Sequence, residues 1–146
     1  MFKDTIVVDT DIIVDLLRKV EDAKKFFKKI ENNEIQAYFS TITELELFTG
    51  KTSQSAEEQR IIDDLLSLMI RVDLDKIIAR KAGFMRRKYD LAIADSIIVA
   101  TALSKNVKKI VTRNKKHFAK VKEVEIFVPY WLTNLTGKFF SECMLR

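Results

Sequence analysis

The chain has little sulfur, histidine or loop-breaking residue to work with: one Cys, one His, one Pro and three Gly in 146 residues. Cys143 alone closes no internal disulfide and builds no cysteine-based zinc site. His117 alone leaves little for a scheme that needs histidine as base or ligand. So few Gly and Pro leave no flexible linker, and neither an internal repeat nor a low-complexity tract is present. Long apolar runs are also missing. The longest, such as residues 12–14 and 97–100, are far too short to cross a bilayer. The first residues carry Asp4 and Asp9 rather than a basic stretch running into an apolar one. The expectation is a cytoplasmic protein with no membrane partner. What remains for chemistry is carboxylates, hydroxyls and cations.

What is there suits one globular domain, since 47% of the residues are hydrophobic. The balance of 26 Lys and Arg against 21 Asp and Glu, a formal +5, permits a polyanionic partner without requiring one. Residues 5–9 form a β-branched run that passes into 11–18, where Ile12, Ile13, Leu16 and Leu17 recur at helical spacing. A helix at 21–31 carries Ala23, Phe26, Phe27 and Ile30 on one face and closes at Asn32-Asn33 before a strand at 35–40. Helices are expected at 43–48, 56–69, 77–89 and 95–103, and strands at 70–74, 109–112 and 124–128. Strands alternating with helices predict an α/β fold of three α/β/α layers around a central parallel sheet of about five strands, because parallel neighbours need right-handed helical crossovers. The domain is expected over 1–128. The extension 129–146, with Trp131, Leu132, Leu135, Phe139, Phe140 and Met144, is too apolar for a free tail and is expected to pack on the domain or on a partner.

Ligands of such sheets bind beyond the carboxyl ends of the strands, where strand order reverses. Asp9, Glu46, Asp95 and Asn114, from four distant segments, are expected at that end. Taken singly, each has an ordinary explanation. Thr43-x-x-Glu46 has the form of a helix capping box, Asp95 of a helix N-cap, and Asp9 of a solvated turn residue. Their combination argues otherwise, because Asp95 is embedded between Leu91-Ala92-Ile93-Ala94 and Ser96-Ile97-Ile98-Val99-Ala100, where an uncompensated carboxylate is costly. Were Asp9 and Glu46 to join it, carboxylates at about 4 Å would repel by roughly 4 kcal/mol per pair at an effective dielectric of about 20. A cation or a shared proton must offset that repulsion. Ligands that are all oxygen favour Mg²⁺ or Mn²⁺.

Four ordered motifs carry a family resemblance. Ile6-Val7-Val8-Asp9-Thr10-Asp11-Ile12-Ile13 resembles the opening strand and turn of PIN-domain ribonucleases. Ser40-Thr41-Ile42-Thr43-Glu44-Leu45-Glu46-Leu47-Phe48-Thr49-Gly50 resembles the second motif, with Glu46 rather than Glu44 in register. Residues 91–102, around Asp95, resemble the third, and Val111-Thr112-Arg113-Asn114-Lys115-Lys116-His117-Phe118 the fourth. The resemblance covers about residues 5–128 and is closest to VapC-type toxins of toxin–antitoxin pairs. Departures are Asp11, where Asn or Ser is more usual, Asp90, where many relatives have Gly, and the extension after Pro129.

The resemblance implies hydrolysis of an RNA phosphodiester that depends on Mg²⁺ or Mn²⁺. It makes Asp9 and Asp95 the principal metal ligands, Glu46 a ligand directly or through water, and Asn114 an outer ligand or water-orienting group. Thr10 and Thr112 hold those carboxylates or a metal-bound water, or make plain turn contacts, and Asp11 is a ligand, an outer group or only the N-cap of the first helix. Arg86, Arg87, Arg113, Lys115 and Lys116 are the candidate RNA contacts, while the Lys24-Lys25 and Lys28-Lys29 pairs read as a solvated helix face and His117 as a packing or surface residue. The implied partners are an RNA substrate, an antitoxin protein and a second copy of the chain, for which Leu135, Phe139 and Phe140 offer apolar surface. An RNA-maturation nuclease, or a PIN-fold module acting mainly through complex formation, are the alternatives to a toxin.

Overall fold

A computed structural model describes residues 4–130. The elements run β1 (Asp4–Val8), α1 (Thr10–Leu17), α2 (Glu21–Glu31), β2 (Ile35–Ser40), α3 (Thr41–Thr49), a 3-10 turn (Lys51–Ser53) and α4 (Ala56–Leu66). They continue β3 (Ile70–Val72), α5 (Lys76–Tyr89), α6 (Ile93–Ser104), β4 (Lys109–Val111), α7 (Lys115–Phe118) and β5 (Glu125–Phe127). The five strands form one sheet in the order β3-β2-β1-β4-β5, and every pairing is parallel. The expected α/β/α architecture with about five strands is what the chain adopts.

β1 is central, so both of its faces are covered, and its buried half, residues 6–8, is an unbroken apolar run. Alternation sorts its side chains. Ile6 and Val8 join a core with Ile12, Phe26, Phe27, Ile30 and Ile62 from α1, α2 and α4. Val7 joins another with Met85, Ile98, Val99 and Phe118 from α5, α6 and α7. α6 is buried almost all round, which is why its apolar residues show no single stripe.

Helix ends explain most boundaries. α2 closes as expected, with Asn33 at φ 62, a left-handed position that Asn tolerates well. α4 begins at a true capping box, Ser55 with Glu58. The capping box weighed for Thr43 and Glu46 is absent: α3 begins two residues earlier, and Ser40 caps it by accepting from Ile42 N at 3.1 Å. Glu46 consequently lies in the second turn rather than the first. The N-cap reading of Asp95 is also replaced, since α6 starts at Ile93 and Asp95 is its third residue. The core continues through Tyr130, which is buried with the α1–α2 side of the sheet. The apolar residues from Trp131 to Met144, including Leu135, Phe139 and Phe140, lie outside the described residues.

Candidate active site

Strand order reverses between β1 and β4, and their carboxyl ends are tied together by Asp9 N–H donating to Val111 O at 2.9 Å. Asp9 is therefore fixed at the reversal point by sheet pairing itself. It is the N-cap of α1, fully buried, with Oδ1 accepting from Thr10 N at 2.8 Å and Oδ2 from the Thr112 hydroxyl at 2.8 Å. The solvated-turn reading of Asp9 is thus overturned. Asp11, expected among other things as the N-cap, sits inside the first helical turn instead. Its Oδ2 accepts from Arg113 N at 2.8 Å and lies 3.1 Å from the Thr112 hydroxyl. A hydroxyl has one hydrogen, so Thr112 is shared between two carboxylates while it accepts from Asn114 N at 3.0 Å.

α3 reaches the same corner through Thr10. The Thr10 hydroxyl donates to Glu46 Oε1 at 2.7 Å, and because that uses its hydrogen, the Thr43 hydroxyl at 3.0 Å must be the donor to Thr10. Thr10 and Thr112 hold carboxylates in place, and the Thr43 hydroxyl is engaged across the corner rather than at a helix end. Asp95 is brought by the first turn of α6, where the amide dipoles favour a negative charge, and His117 Nδ1 stands 3.3 Å from its Oδ2. Asn114 is nearly buried, and its Nδ2 has no hydrogen-bond partner among the described residues.

The buried charges are lopsided. Asp9, Asp11, Asp15 and Asp95 are 0%, 1%, 1% and 3% exposed, against one buried guanidinium among the described residues, Arg113. That guanidinium belongs to Asp15, with Nε 2.5 Å from Oδ2 and Nη2 2.9 Å from Oδ1, and the Tyr130 hydroxyl donates to Asp15 at 2.9 Å. Burial works against the Arg113 charge, but its hydrogen bonds and attraction to Asp15 outweigh that and hold its pKa above the ordinary arginine value. Burial, with the Asp15 charge adding, pushes the Tyr130 hydroxyl well above the usual tyrosine range. Arg113 is thereby corrected from a candidate RNA contact to an inward-facing counter-charge. Arg86, Arg87, Lys115 and Lys116 are exposed, and of these Lys116 lines the open cleft of about 460 Å³ that Glu46 and Asp95 also border.

Among the described residues no three of His, Cys, Asp and Glu stand close enough together to hold a metal ion as placed. The donor set nonetheless fits a hard cation: carboxylates gathered at one end of the sheet, and an excess of buried negative charge among the described residues. Sequence reasoning missed His117 at Asp95, and it missed Asp15 altogether. Asp15 had a visible signal, an acid between Val14 and Leu16 one turn after Asp11 on an apolar helix.

No curated protein matches the chain. Among solved structures, a toxin–antitoxin complex from Klebsiella pneumoniae holds a chain 30% identical with a TM-score of 0.71, the match covering 86% of this chain and 98% of that one. DNA-bound VapBC from Salmonella typhimurium is similar at 22% identity and TM-score 0.69, covering 87% and 98%. FitAcB from Neisseria gonorrhoeae is similar at 24% and 0.65, covering 85% and 97%. At these lower identities the likeness is one of fold. The PIN domain family model matches residues 6–124, a stretch that takes in Asp9, Glu46, Asp95 and Asn114 together, and the chain belongs to that family.

Proposed function

We propose that the protein is a divalent-metal-dependent endoribonuclease and acts as the toxin of a toxin–antitoxin pair. The observation that carries the chemistry is the set of buried carboxylates at the sheet's reversal point, Asp9, Asp11 and Asp95, which outnumber the one buried guanidinium among the described residues. The 30% identity to a chain of a toxin–antitoxin complex supports an antitoxin as partner.

Asp9 and Asp95 would be the principal ligands of Mg²⁺ or Mn²⁺, Glu46 a ligand directly or through water, and Asn114 an outer ligand or water-orienting group. Such a cation, when bound, polarises the phosphoryl oxygen and lowers the pKa of a coordinated water. The chain's own contribution is placement. Thr10 and Thr112 fix the Asp9 carboxylate from two sides, Thr10 reaches across to Glu46, and the backbone around Thr112 and Arg113 fixes Asp11. No side-chain nucleophile is required.

Asp9→Asn and Asp95→Asn are expected to bring metal-dependent cleavage of RNA to background, beyond the about 10- to 100-fold typical of changes to supporting residues. Circular dichroism should show the fold retained. Cleavage at the wild-type rate by either variant would reject the assignment.

A further inference from the structure

Glu46 and Asp95 line the 460 Å³ cleft together with residues of two further segments, of which His117 stands 3.3 Å from Asp95. Tyr89 and Asp90 come from the end of α5, and Lys116, His117 and Lys120 from α7 and the turn after it. The volume lies within the about 300–1,000 Å³ of ordinary small-ligand sites, room for one nucleotide.

The Tyr89 ring is held from outside the cleft. Its hydroxyl makes a short hydrogen bond to the Glu123 carboxylate, and the Lys88 ammonium, 3.5 Å from Glu123, stands 5.0 Å from the ring centroid. An aromatic side chain fixed in this way loses little freedom when something stacks on it. Lys116 and Lys120 are exposed, four residues apart, and both line the cleft. Lys88, Arg71 and Arg113 are engaged by carboxylates, whereas Lys116 and Lys120 have no ion pair among the described residues.

We propose that this cleft is a nucleotide subsite taking one unpaired RNA nucleotide beside the phosphodiester at the carboxylate corner, with the base on Tyr89 and the flanking phosphates on Lys116 and Lys120. The inference rests on the ribonuclease reading and adds the residues that hold the nucleotide, Tyr89 for its base and Lys116 and Lys120 for its phosphates. A base inside a duplex has both faces covered by its neighbours and cannot stack on Tyr89, whereas an unpaired base can.

The probe is fluorescein-labelled oligouridine, which does not pair with itself, titrated in EDTA so that no hydrolysis occurs. The same strand annealed to oligoadenine is the duplex control. Wild-type protein should bind the single strand more tightly than the duplex. The double variant Lys116→Ala/Lys120→Ala should flatten the slope of log affinity against log salt by about 1.4, near 0.7 for each phosphate that no longer meets a lysine. Tyr89→Leu should weaken binding by about tenfold, and Tyr89→Phe, which keeps the ring but loses the hydroxyl bond to Glu123, should weaken it less. An unchanged salt slope in the lysine variant, equal losses in the two Tyr89 variants, or a duplex bound as tightly as the single strand would each overturn the proposal. The lysines are on the surface, so their test does not depend on how well the Tyr89 variants fold. Binding in EDTA is independent of turnover: a wild-type protein that binds as described yet cleaves no RNA would sink the hydrolase reading alone, and cleavage without these dependences would sink the subsite alone.

Discussion

Two ends of one short helix treat buried aspartates in opposite ways. At the far end of α1, Asp15 meets a guanidinium in bidentate geometry and a tyrosine hydroxyl, all supplied by the chain. At the near end, Asp9 and Asp11 accept from backbone amides and a shared threonine hydroxyl, with Glu46 drawn to the same corner through Thr10. Burial of a carboxylate is thus no mark of a site by itself. What separates the two ends is that one is closed by a bidentate guanidinium from a residue ninety-eight positions away in sequence, while the other gathers several carboxylates around backbone amides and threonine hydroxyls.

The largest expected effect tests the neutralised end. Arg113→Met leaves Asp15 buried without its guanidinium, and the loss of a partner from a buried pair costs about 3–5 kcal/mol. Urea unfolding should register that loss, and adding Asp15→Asn should restore much of it, because the orphaned charge is then gone. A single variant that unfolds at the wild-type midpoint would erase the distinction between the two ends. The opposite end is probed by adding a cation. Mg²⁺ or Mn²⁺ at about one hundred times its dissociation constant should stabilise the wild-type chain by about 2.7 kcal/mol, a gain absent from Asp9→Asn and Asp95→Asn and reversed by EDTA. Equal gains in wild type and variants would place the cation elsewhere.

The elements are legible in the sequence wherever local chemistry decides them. α2 and β2 fall on the expected residues because a four-residue apolar stripe ends at an Asn pair able to adopt the left-handed turn. α6 begins two residues before its expected start, since Ala92 caps it with backbone alone and gives no side-chain signal. The corner is legible as four polar residues at strand ends, but not as a network. Thr43 has the spacing of a capping box and turns its hydroxyl to Thr10, thirty-three residues away. Arg113 sits in a basic run beside Lys115 and Lys116, yet it points inwards while they point out. Which way a side chain turns at the end of a central strand depends on what α1 presents there, and local spacing does not carry that information.

The smallest effect isolates the third member of the neutralised end. Tyr130→Phe removes one hydrogen bond to a charged group and leaves the Asp15–Arg113 pair intact, so the cost at neutral pH should fall near about 1.5 kcal/mol, the lower end for such bonds. Its pH dependence separates it from a packing defect. Folding holds the Tyr130 proton more tightly than the unfolded chain does, where the hydroxyl titrates near its ordinary value of about 10. Below that pH both states carry the proton and the contribution is complete. Above it the unfolded chain releases one proton that the folded chain keeps, so wild-type stability should fall by about 1.4 kcal/mol per pH unit from this group. Phe has no proton to release, and the gap between the two proteins should close and then reverse as pH rises from about 10 to 12. A gap that stays constant over that range would mean that Tyr130 contributes volume rather than its hydroxyl, leaving the Asp15 end a simple ion pair.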